Sequence, residues 1–194
     1  MSNHDQPERI GISVPWNAAW TAEDRHEVRP CKYAAGHLAI WAPYKPGEGK
    51  PMFAKPHPVR QRKSIAEMRC SVCGEVTPEN DRWWFGRGHW QDGWWMTTES
   101  PVHRSCADHA KKACPVLRKS GDEPTRFPTG ATVLSAMVGG QATDDDFGVK
   151  INGRNVVGHL KLAWRYDPRR KHMMEGHPCA TIARRALHQT ERGE

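Results

Sequence analysis

The sequence predicts a small α+β protein. One metal-stapled module of a cysteine turn, a β-hairpin and a helix is joined by a further small antiparallel β unit and flanked by irregular basic arms. Three observations predict this. Cys70-x-x-Cys73 and His103-x-x-Cys106 place two pairs of soft ligands at the two ends of the stretch Met68 to Pro115. Between them Trp83 and Phe85 alternate with Trp84, and Trp94 and Met96 alternate with Trp95. That is strand periodicity in strand-favouring aromatics. On both sides the chain becomes basic, and upstream it is rich in proline and glycine.

The 194 residues allow one domain or two small ones. Mean hydropathy is −0.79, yet nine tryptophans are present, and each can bury roughly 150–250 Å² of a small core. No run approaches the roughly 20 apolar residues of a membrane helix. Met-Ser-Asn-His-Asp does not read as a signal peptide. A cytoplasmic setting, in a bacterial or phage-infected cell, is therefore expected, where thiols stay reduced. Six cysteines then point to metal or to inert core thiols.

Residues 1–66 read as an irregular Pro/Trp-rich basic arm packed on the body. Pro15-Trp16-Asn17 is extended and able to lay its ring on other parts of the chain. Thr21 to Asp24 can cap a short helix. Leu38 to Trp41 makes a short strand. The prolines between 43 and 58 each remove a donor and bias the preceding residue away from helix, so residues 45–63 read as loop or arm. Residues 67–120 form the metal module: strands at 83–85 and 94–96, a turn from Gly86 to Gly93 with Asp92-Gly93 at its end, and a helix opening at Ser100-Pro101 and ending before Pro115. Residues 121–166 form the second β unit. Ala131 to Val138 is one buried element, strand or short helix. Phe147, Val149 and Ile151 pair with Leu160, Leu162 and Trp164 across Asn152-Gly153. Residues 167–194 form a basic tail with a helix from near Pro178.

Zinc favours four tetrahedral ligands from thiolate and imidazole, and a closed Cys/His set is structural. Cys70-x-x-Cys73-Gly74 is a knuckle that aims two sulfurs at one point. The second pair is His103 with Cys106, or Cys106 with His109, since either spacing puts both side chains on one side of the helix. Cys31 with His37 and His57, or His177 with Cys179, is a weaker grouping.

A knuckle, a hairpin and a helix with two ligands in its opening turn resemble a treble-clef zinc finger. The order Cys-x-x-Cys … His-x-x-Cys is similar to the first metal half of LIM-type modules. That resemblance implies Cys70, Cys73, His103 and Cys106 as the ligands of Zn2+, with His109 as the alternative to His103. The Cys-x-x-Cys-Gly, Thr-Thr-Glu-x-Pro and His-x-x-Cys pattern also resembles small uncharacterised proteins of bacteriophages and their hosts.

Net charge is +7. Residues 67–120 carry eight Lys/Arg against seven Asp/Glu, residues 45–63 six against one, and residues 165–192 seven against three. The excess therefore lies in the flanks. Trp41, Tyr44 and Phe53 interleave with cations there, a pattern that suits single-stranded nucleic acid. The leading expectation is a non-enzymatic zinc protein binding nucleic acid as a phage or mobile-element accessory or regulatory factor. Lys55, Arg60, Arg62, Lys63, Arg169, Arg170 and Lys171 would meet phosphates. The alternative is a module that inhibits a host protein through exposed tryptophans. A ββα-metal nuclease comes third. His89, Asp92 and His109 are its candidates, but the first strand lacks the usual Asp-His pair. Asp144, Asp145 and Asp146 read as a solvated loop rather than a Mg2+ site.

Overall fold

The computed structural model describes residues 14–138, 147–151 and 154–165. Its longest strand, β10 (Val156–Arg165), is buried along most of its length. A strand covered on both faces reads as a near-continuous apolar run, as Val-Val-Gly-His-Leu-Lys-Leu-Ala-Trp largely does. Val157 pairs with Met137 of β9 (Thr132–Val138) and also with Ala39 of β3 (Leu38–Trp41). Leu162 pairs with Val133 of β9 and with Thr97 of β7 (Trp94–Thr97). A residue has two such partners only on opposite edges. So β9 runs along one edge of β10, while β3 and β7 share the other, end to end. β2 (Glu27–Pro30) extends the sheet beyond β3 and β6 (His89–Gln91) beyond β7, giving six strands.

Between β3 and β7 the edge of β10 would be unpaired. Helix α1 (Pro58–Ala66) closes that gap with side chains. Gln61 acts as a substitute peptide: its Oε1 accepts from Leu160 N–H at 3.0 Å, and its Nε2 donates to Leu160 O at 2.8 Å. Nε2 also donates to Thr98 O, at 3.1 Å. Arg62 bridges the two parallel strands by donating to Gly158 O (2.8 Å) and Ile40 O (2.5 Å). Arg60 makes a bidentate pair with Glu23, at 2.9 and 2.6 Å, and donates to Ala18 O. His57 caps the helix. Its Nδ1 accepts from Val59 N–H and Arg60 N–H, and its Nε2 faces Pro43 O at 3.0 Å.

This helix corrects the expectation for residues 45–63. They are β4 (Pro51–Pro56), paired with β1 (Ala18–Trp20), followed by α1. Arg60 and Arg62 are 1% and 0% exposed and committed to internal acceptors, so neither reaches a phosphate. The N-terminal segment is also no mere arm. The central sheet takes β2 and β3 from it, β6 and β7 from the metal module, and β9 and β10 from the region after it.

Three further expectations change. The hairpin is β6–β7, closed by Asp92-Gly93 with φ +48° and +76°. β5 (Trp83–Trp84) pairs instead with β8 (Thr125–Arg126), forty residues downstream in sequence and packed beside it. The partner of β10 is β9, which settles that element as a strand; residues 147–151 form no strand. Helix α2 spans Arg104–Ala113 and starts four residues after Ser100, with α3 (Pro115–Ser120) beginning at the proline expected to end it. The Thr21 to Glu23 turn is a short 3-10 helix. The expected C-terminal helix, Asp144 to Asp146, Arg169, Arg170 and Lys171 lie outside the described residues. Among the described residues, no helix is long and apolar enough to cross a membrane.

Two apolar clusters matter for the site. The larger joins Cys31, Ile65, Trp84, Trp95, Phe127, Leu160, Leu162 and Trp164 among others. The smaller has Cys70, Val102 and Ala107 buried, with Val72, Cys73, Trp83, Phe85 and Cys106 around them.

Candidate metal centre

The knuckle is a miniature hairpin. Arg69 and Val76 form an antiparallel bridge. Cys70 N–H donates to Glu75 O at 2.8 Å, and Gly74 N–H returns to Cys70 O at 2.8 Å. Gly74 has φ +81°, and a Cβ there would lie 2.7 Å from the Trp16 ring. Glycine is therefore required both by backbone angle and by close approach. Trp16 arrives because its N–H donates to Val72 O at 2.8 Å and Asn17 N–H donates to Ser71 O at 3.1 Å. The N-terminal segment does lay its ring on the body, and the place is the knuckle itself.

The second ligand pair comes from α2. Trp83 and Val102 exchange both backbone hydrogen bonds, at 2.9 and 2.8 Å, which fixes the chain entering the helix. His103 is the N-cap residue, with extended backbone angles, and Cys106 lies in the first turn. The His103 side chain does not cap the helix, because it is turned to the cysteines. Asp81 takes over part of that role: its Oδ1 accepts Arg104 N–H at 2.9 Å and Trp83 Nε1–H at 3.0 Å. Helix starts leave orphan N–H groups that such an acceptor satisfies.

The ligand atoms of Cys70, Cys73, His103 and Cys106 all lie within 4.8 Å of one another. His103 Nδ1 is 3.4 Å from Cys73 Sγ and 3.9 Å from Cys106 Sγ. Metal–sulfur and metal–nitrogen bonds of about 2.3 and 2.0 Å at a tetrahedral angle give an S···N separation of about 3.5 Å. The observed values straddle it. His103 Nε2 lies 3.3 Å from Val76 O, so its second nitrogen donates to the knuckle backbone. Such a partner fixes the ring and leaves Nδ1 free to ligate. Hydrogen bonds from Cys106 and Cys73 hold the Cys70 thiol well below its usual range, against its burial. The same contacts, with Cys70 first, push Cys106 up. Together these four residues can hold a metal ion, and among the described residues no other His/Cys/Asp/Glu group does so.

The remaining candidates fall elsewhere. His109 is exposed and outside the ligand cluster. His89 is exposed on the edge strand β6, opposite Met96, and Asp92 is in the hairpin turn. Cys31 is a core thiol at 0% exposure, and His57 is the helix cap. Of the proposed phosphate contacts, Lys55 pairs with Asp24 at 2.6 Å and Lys63 is half-buried. None of the nine tryptophans is exposed, which removes the premise of exposed tryptophan anchors. Sequence reasoning missed Asp81 and the Val76 carbonyl, and it left open where the Trp16 ring would land; these roles arise from pairing that spacing does not encode. Compared with family models, with curated proteins and with solved structures, the chain matches none.

Proposed function

We propose that the chain is a zinc-stapled, non-enzymatic protein that binds nucleic acid, as an accessory or regulatory factor of the phage or mobile-element kind that its motif pattern resembles. The observation that carries the metal half is the convergence of three sulfurs and one imidazole nitrogen within 4.8 Å. Soft thiolates with one imidazole select zinc over the hard cations magnesium and calcium. Four protein ligands close the coordination shell, the arrangement of structural rather than hydrolytic zinc. The treble-clef reading rests on the knuckle and on α2 carrying two ligands in its opening turn.

The nucleic-acid half is supported by the net charge of +7 and by the exposed rings of Tyr44 and Phe53 among Lys45, Lys50 and Lys55. Lys55 and Lys63 keep their proposed place as phosphate contacts, and Arg60 and Arg62 lose it. Elemental analysis of purified protein tests the metal: one zinc per chain, lost in Cys73→Ser, is the expected result. A well-folded, metal-free wild type overturns it. Anisotropy of labelled oligonucleotides across a salt series tests the ligand, since phosphate binding weakens steeply with salt.

A further inference from the structure

Counted along the sequence, the metal module is nearly neutral. In three dimensions its charges are sorted. Glu67 pairs with Arg69 and Glu79 with Arg82, near the knuckle, and Asp92 sits in the β6–β7 turn. The face of α2 is different. Arg104, Asp108 and Lys111 recur at i, i+4 and i+7, so they share one stripe of the helix. The guanidinium carbons of Arg104 and Arg126 lie 4.6 and 4.4 Å from the centre of the Trp83 ring. Arg104 Nε donates to Asp108 at 3.1 Å, and Arg126 donates to Asn80 O at 2.5 Å. Both forks are thus held in place and exposed, with donors to spare. Further along, Asp108, Lys111, Lys112, Arg118 and Glu123 line a concavity of about 510 Å³. Lys111 pairs with Glu123. Lys112 and Arg118 are exposed and have no carboxylate partner among the described residues.

We propose that this strip, from Arg126 over Trp83 and Arg104 to Lys112 and Arg118, binds the phosphodiester backbone of a single nucleic-acid strand; it rests on the nucleic-acid reading above. Five cations (Arg104, Lys111, Lys112, Arg118 and Arg126) face three carboxylates there, Asp81, Asp108 and Glu123, and Asp81 is already engaged by the Trp83 and Arg104 N–H groups. Guanidinium forks suit bidentate phosphate contact, and aromatic stacking fixes them beforehand. The Trp83 ring is covered by its two arginines, so the contact is to phosphate and carries little base preference. From Arg104 to Lys112 the helix alone runs roughly 12 Å, so the contact spans more than one phosphate.

The test uses the full, zinc-loaded chain and fluorescein-labelled 20-mer DNA and RNA, by anisotropy from 50 to 300 mM KCl. Lys112→Glu/Arg118→Glu is expected to weaken binding at least tenfold. It should also reduce the slope of log K against log salt by about 1.4, from two lost contacts at about 0.7 each. The control Arg25→Glu/Lys32→Glu changes the same net charge elsewhere and should shift affinity less than threefold. DNA and RNA are expected to respond alike. Ultraviolet crosslinking of the strand to the wild type gives a readout independent of variant folding, with crosslinks expected in peptides spanning 104–126. Wild type that binds neither oligonucleotide overturns the nucleic-acid reading and the strip together. Binding that survives in the strip variant, with crosslinks elsewhere, overturns the strip and leaves the reading intact. Retention on polyglutamate in preference to either oligonucleotide assigns the strip to an acidic protein and overturns it.

Discussion

His57 makes the fold acid-sensitive independently of the candidate metal centre. Both ring nitrogens are used. Nδ1 accepts from Val59 and Arg60 N–H at 3.2 and 3.3 Å, and Nε2 faces Pro43 O at 3.0 Å. The neutral ring with its proton on Nε2 satisfies all three. A second proton on Nδ1 would face two N–H donors and add a cation beside Arg60. Burial first, and then the Arg60 charge, lower the His57 pKa from 6.5 to about 4. Glu23, 3.9 Å away, does not offset them, because its carboxylate is already engaged by Arg60. The unfolded chain therefore takes up a proton near pH 6.5, and the folded chain only near pH 4. Acid favours the unfolded state through this window, so the stability the neutral ring provides is present at pH 7 and is lost as pH falls. From pH 7 to pH 5 the loss is about 2 kcal/mol, at about 1.4 kcal/mol per fully linked unit.

The assay is urea unfolding at pH 7, 6 and 5 for wild type and His57→Asn, both with zinc in excess. Asparagine keeps an acceptor at the helix start and removes the titration. Proton competition at the metal ligands affects both proteins and cancels in the difference. The wild type should lose about 2 kcal/mol more than the variant across this range. Equal pH slopes would refute the reasoning, whatever the absolute stability of His57→Asn.

Other parts of the structure make separate predictions. Removing metal with a chelator, or Cys73→Ser, should expose amides of 68–77 and 102–113 to hydrogen exchange while β10 and α1 stay protected, because the metal cluster buries few residues of its own. Gln61→Leu strands the Leu160 N–H and C=O in a buried gap and should cost about 2–4 kcal/mol in denaturant unfolding, roughly two unsatisfied groups. Arg60→Met leaves Glu23 as a buried charge and should cost about 3–5 kcal/mol, with Arg60→Met/Glu23→Leu recovering much of it. Among the described residues β9 lies at a sheet edge, carries no charge and has Val133 and Met137 at 45% and 53% exposure, so Met137→Lys should slow aggregation on heating, followed by light scattering.

The metal site was legible because its information is local. Two three-residue spacings, a glycine after the knuckle and a helix start are all read within a few residues, and only His103 against His109 was left open. The Asp92-Gly93 turn and the β10 pattern were legible for the same reason. Helix α1 was not. Its sequence Pro-Val-Arg-Gln-Arg-Lys-Ser-Ile-Ala has no apolar stripe, and prolines crowd its start. What buries it is Glu23, thirty-seven residues before Arg60, and the backbone of Leu160, ninety-nine residues after Gln61. A polar residue whose partner is that distant gives no periodic signal. The tryptophan run misled by the same route: Trp83-Trp84 has strand character, but its partner is Arg126 and Thr125 rather than the next strand in sequence.

Trp83 and Trp84 show how the two halves of the molecule depend on each other. Neighbours on a strand point to opposite faces, and here the two faces belong to different clusters. Trp84 is 1% exposed and packs against Phe127 and Trp164, with ring centres 5.3 and 5.6 Å away. Trp83 faces the metal cluster, and its backbone holds Val102 just before His103. β5 is only two residues long. The sheet core therefore positions the four candidate ligands through one short strand, and a metal ion held by them would fix the start of α2, on which Arg104, Lys111 and Lys112 are displayed. A metal ion in this arrangement would order the start of α2 more than it would hold the sheet core together, because the cluster around it buries few residues of its own.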